Sequence, residues 1–163
     1  MREPAFNRIG RRFFGSLLLL AALTKLANFA GFIGVVASYG MMPDWAQLPV
    51  SLLVVSAEAG LGAWLWSGRR GPLACLLLVM LLVLYCSGLF FAYLDGRRLL
   101  NSGTFGTVVP LRVSLGLVLA QLGLLGVSFF LWSSVTAHRL REQLALDANP
   151  AVMMPPGPPT GAA

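Results

Sequence analysis

Four long apolar runs, with hardly a charge inside them, leave this chain few ways to fold. They extend from Phe13 to about Ala37, from about Leu48 to Trp66, from Pro72 to about Leu94, and from about Leu111 to Val135. Each is long enough to supply the roughly 20 residues that a helix needs to cross the hydrocarbon of a bilayer. Charged residues make up 11% of the 163-residue chain, against about 25% in soluble domains. The expected architecture is therefore all-α: an integral membrane four-helix bundle over residues 13–135, preceded by a basic segment, 1–12. The tail, 136–163, ends in a Pro- and Gly-rich stretch without apolar periodicity and is expected to be largely disordered. Pro49, Pro72 and Pro110 stand at or just before expected helix starts, where a missing N–H costs nothing.

The net charge of +6 does not indicate nucleic acid, because the arginines fall in short clusters between apolar runs and no soluble basic groove is left. Such clusters set topology and touch anionic lipid heads. Arg2, Arg8, Arg11, Arg12, Arg69, Arg70, Arg139 and Arg141 fall on one side, and Arg97, Arg98 and Arg112 on the other. The excess places both termini in the cytoplasm of a bacterial-type inner membrane. The first run continues past the length of a signal-peptide core and lacks an Ala-x-Ala site, so it is read as retained. Cys75 and Cys86 lie eleven residues apart in one run, about 16 Å along a helix. That exceeds the roughly 7 Å a disulfide allows, and they read as packing residues.

Lys25 is the residue that needs an answer. A lysine inside a span costs roughly 2.5–3.5 kcal/mol on insertion scales and persists by snorkelling, pairing or lining a polar cavity. It stands about a dozen residues from the cytoplasmic end, some 18 Å, which its stem does not cover. The acid within a span is Glu58, on the next, antiparallel helix, and the two depths differ by about a turn. A buried Lys25–Glu58 ion pair follows, with Asn28, Tyr85, Ser87 and Gln121 at comparable depth closing a polar core. Small-xxx-small pairs such as Ala27/Gly31, Ala30/Gly34, Ser56/Gly60 and Gly116/Ala120 are expected to let the helices approach. This core either fixes helix register alone or makes Glu58 a protonatable group for proton movement or a quinone-like ligand.

The segments "RRFFGSLLLLAALTKLANFAGF", "YGMMPDWA" and "SAEAGLGAWLWSG" resemble, in order and spacing, the DoxX-like superfamily of four-helix membrane proteins, and its MauE branch in particular. The resemblance covers roughly Arg12 to Trp132. It implies an accessory role in maturing a periplasmic, disulfide-rich methylamine dehydrogenase. Many relatives carry Cys-Gly-Cys-Phe-Gly after the third span, where this chain has Ser102, Gly103, Thr104, Phe105 and Gly106. A thiol relay needs a thiolate, and hydroxyls do not replace it. Gly103 and Gly106 still permit a turn with positive φ.

Other chemistry is sparse. There is no phosphate-cradling glycine motif, metal-ligand spacing or Ser–His–Asp set. The one histidine, His138, reads as a solvated residue capping the last helix. The functional expectation is an accessory protein for the assembly or operation of a membrane or periplasmic redox system, without its own cysteine relay and without a catalytic residue or metal. A structural subunit of a larger membrane complex is the alternative, and a proton- or quinone-linked enzyme or transporter using Glu58 the third reading. The expected partners are lipid, a membrane or periplasmic redox protein, and other copies or subunits in an oligomer or larger complex.

Overall fold

The computed structural model describes residues 4–40, 42–68, 71–96, 102–105, 107 and 111–147. Five helices follow in order: α1 (Ala5–Ala27), α2 (Phe29–Ser38), α3 (Asp44–Ser67), α4 (Gly71–Leu94) and α5 (Leu115–Asp147). Of these, α3, α4 and α5 are each long and apolar enough to cross a membrane, and α1 with α2 makes a fourth span only if the bent pair is counted as one. The multi-pass membrane class therefore stands. The first apolar run, however, is not one continuous helix.

The break falls at Asn28, and the axes on its two sides differ by 98°. Asn28 adopts φ −138° and ψ 69°, and its Oδ1 accepts from the Gly31 N–H at the start of α2. Asparagine favours this capping role over a helix interior, where its amide competes with the backbone ladder. The bend turns α2 across one end of the molecule. Lys25, expected near mid-helix, thus lies in the last turn of α1.

Two other boundaries differ from expectation. Helix α3 begins at Asp44, which places Pro49 inside it rather than at its start. Helix α5 begins at Leu115 and runs for 33 residues to Asp147, about 50 Å, well beyond the roughly 30 Å of hydrocarbon. The segment 136–147, expected to be part of a loose tail, is helical, and His138 lies within that helix rather than capping it. The remaining tail and Gly106 lie outside the described residues.

Packing is closest between α1 and α3 and between α4 and α5. The α1–α3 crossing is set by Gly15 and Gly62. A Cβ on either would lie 3.0 Å from the other's carbonyl oxygen, a spacing that permits close backbone approach. Among the glycines expected to do this, Gly34 and Gly60 face open space and Gly116 meets little. Phe14, Leu18, Leu61, Leu65, Leu78 and Leu131 fill the core beside this crossing. The outer faces are also apolar, as Leu23, Leu53, Leu84 and Phe130 show. A surface of that kind fits contact with lipid rather than water.

Candidate functional site

Helix α1 carries Lys25 inward, and α3 brings Glu58 to it from the antiparallel neighbour. Lys25 is 1% exposed and Glu58 is fully buried. The Lys25 Nζ donates to Glu58 Oε1, and the Tyr85 hydroxyl of α4 donates to the same oxygen. Lys25 Nζ also donates to the Thr104 carbonyl at 2.9 Å. The ammonium sits 5.4 Å from the Phe32 ring centroid and 5.5 Å from that of Tyr85, within cation–π range. Lysine and glutamate cancel, so the cluster is electrically neutral while its dipoles remain. Position at the C-terminal end of α1 adds a favourable interaction with the helix dipole.

The bend at Asn28 does the positioning here. It swings α2 over the ion pair, so that Phe32 reaches the ammonium and Tyr39 reaches the loop. Ser102 to Phe105 and Thr107 close the same end. Tyr39 donates to the Ser102 carbonyl at 3.0 Å, and Asn28 Nδ2 donates to Thr107 Oγ1 at 2.8 Å. Ser102 and Thr104 share a hydroxyl contact of 3.2 Å. Gly103 takes φ +69°, and a Cβ there would come within 2.9 Å of the Val35 side chain. This glycine is required both for its conformation and for its close approach. Phe105 is half-buried beside it.

The polar residues expected at one depth therefore separate into three kinds. Lys25, Glu58 and Tyr85 form one bonded cluster. Gln121 is buried and lines the neighbouring cavity, but has no hydrogen-bond partner among the described residues. Asn28 is exposed and works as a helix cap and loop tether, not as part of a buried core. Ser87 is exposed and returns its hydroxyl to the Val83 carbonyl of its own helix at 2.9 Å, a common outcome for serine within a helix.

A cavity of about 290 Å³ adjoins the cluster. Lys25, Tyr85 and Gln121 border it, together with Tyr39, Ser102 and Thr104; its other walls are apolar, including Phe32, Val36, Val54, Leu84 and Leu89. Residue type alone gave no sign of this space, because it arises from the 98° bend. Sequence reasoning also missed a second polar cluster at the far end of α1. There Arg11, 6% exposed, donates to the Gly68 carbonyl at 3.3 Å, and Asn7 accepts from Ser134 at 2.9 Å. The spacing of Asn7 and Arg11, one helical turn apart, was the available signal.

The sequence profile described as "Methylamine utilisation protein MauE" matches residues 3–145. Among similar curated proteins, the methylamine utilization protein MauE of Paracoccus denitrificans is 29% identical over 127 residues, covering 78% of this chain and 68% of its own. That of Methylorubrum extorquens is 30% identical over 131 residues, covering 76% of this chain and 70% of its own. That of Paracoccus versutus is 26% identical over 163 residues, covering all of this chain and 77% of its own. No solved structure matches.

Proposed function

The chain belongs to the MauE family, and from that premise we propose that it is a membrane-embedded accessory protein of methylamine utilisation that supports assembly or operation of a periplasmic redox enzyme. The observation that carries this reading is the family match over residues 3–145, joined to a site with no thiol at its centre. Ser102 and Thr104 stand in the loop against the Lys25–Glu58–Tyr85 cluster. Hydroxyls there hold the loop closed by hydrogen bonds and do not exchange disulfides. Any thiol chemistry in such a system belongs to a partner.

In this reading the bent α1–α2 pair counts as one span, making a four-span bundle. The arginine distribution then sets both termini in the cytoplasm and the loop 102–107 on the periplasmic face of the inner membrane. Loss of the gene is expected to abolish growth of the host on methylamine while leaving growth on ammonium intact. Restoration by the wild-type chain, and equally by Cys75→Ala/Cys86→Ala, supports a role without a cysteine relay. Normal growth on methylamine without the gene, or failure of the cysteine-free variant while it remains abundant, would overturn it. A structural subunit would instead co-purify with its complex at fixed stoichiometry.

A further inference from the structure

We propose that the cavity between α2, α3, α4 and the loop residues Ser102, Gly103 and Thr104 binds a neutral, lipid-soluble molecule with a flat, carbonyl-bearing head, the quinone class. Its volume of about 290 Å³ is near the lower end of ligand pockets, about 300 Å³. The walls are largely apolar, and polar groups converge at one side, the pattern of a small-molecule site.

The polar side defines the ligand's chemistry. An ammonium has three N–H donors; Lys25 gives one to Glu58 and one to Thr104, leaving one to offer. The Gln121 carboxamide, on a residue 5% exposed, borders the same space, and no hydrogen bond to a described residue occupies it. The remaining Lys25 N–H and the amide N–H groups of Gln121 are donors that suit an acceptor such as a carbonyl. Charge selects further. Lys25 and Glu58 already neutralise each other, so a charged ligand would have to break their pair, whereas a neutral one would not. Phe32, Tyr39 and Tyr85 line the cavity and favour a planar ring by stacking or edge contacts. Entry is from the bilayer: Leu84 belongs to the cavity wall and is also 63% exposed on the outer face.

Gly88 supplies the test. It lines the cavity, and a Cβ there would meet nothing within 4 Å. Gly88→Leu therefore has room for its Cβ and would extend a side chain into the space. Gly60→Leu is the control, since Gly60 also faces open space but is not part of the lining. The full chain in lipid nanodiscs would be titrated with a short-chain benzoquinone by calorimetry. Saturable binding is expected for the wild type and Gly60→Leu, at least tenfold weaker binding for Gly88→Leu, and several-fold weaker binding for Gln121→Leu. Absence of saturable binding, or undiminished binding by Gly88→Leu, overturns the proposal. So does equal binding of an alkyl cyclohexane of the same tail length, which lacks both carbonyls and would mark a mere acyl-chain slot. Should Gly88→Leu fail to fold, Gln121→Leu decides alone. This test is independent of growth on methylamine, so either proposal can fall without the other.

Discussion

The two ends of α1 bury polar groups under different rules. Near its C-terminus, Lys25 meets a carboxylate, a backbone carbonyl and two aromatic rings, and almost nothing of it is exposed. Near its N-terminus, Arg11 meets the Gly68 carbonyl, and Arg12 lies 5.7 Å from the Trp66 ring centroid. There the neighbouring His138 and Glu142 stand 3.7 Å apart and remain partly exposed. Arg11 itself is buried, but the His138–Glu142 pair beside it is one that water or headgroups can reach, and such a pair tolerates loose partners. A charge sealed beneath a bent helix and a loop does not, because each group left alone pays its full desolvation cost. One end is an electrostatic lock, and the other a set of tethers at the helix ends.

That contrast can be broken most sharply at Glu58. Glu58→Gln strands the ammonium and is expected to destabilise the protein by about 3–5 kcal/mol, read from thermal unfolding in detergent and from abundance in the membrane. Adding Lys25→Met should recover most of the loss. A double variant no better than the single would show that the pair is not the coupled unit described. Tyr85→Phe comes next. It removes one bond to the carboxylate and should cost about 1.5–3 kcal/mol by the same unfolding measurement, with the lysine contact preserved. The smallest effect belongs to the other end. Glu142→Gln loosens a partly exposed contact with His138 and, at a site that solvent reaches, should change stability by less than about 0.5 kcal/mol. If it cost as much as Tyr85→Phe, the two ends would be following the same rule.

How much of the site was legible depends on the kind of information each residue carries. Lys25 and Glu58 could be matched from sequence because each is an expensive group in an apolar run, and consecutive antiparallel helices at similar depth offer few alternatives. Tyr85 could be placed near them by depth. Asn28 could not be read correctly by that argument: depth along a presumed straight helix says nothing about whether the helix continues. Its side chain was free to cap α2, and local hydrogen bonding prevailed over helix propagation. The close-packing glycines were misjudged for a related reason. Small-xxx-small spacing occurs on several faces, and only the crossing of α1 with α3 selects Gly15 and Gly62 over Gly34 and Gly60.

Sequence by itself determined the solvent of this protein and the charge it must cancel: long apolar runs require lipid, and a lysine within one requires an acid. Both follow from transfer free energies, which depend on composition and spacing and on little else. Tertiary structure decided the rest. The 98° turn at Asn28 moves α2 from a continuation of α1 to a cover over the ion pair, and with the loop it forms part of the cavity wall. That outcome depends on which partners the chain brings within hydrogen-bonding distance, such as Thr107 for Asn28 and Thr104 for Lys25. Contacts between residues so far apart in the chain leave no periodic trace in the sequence.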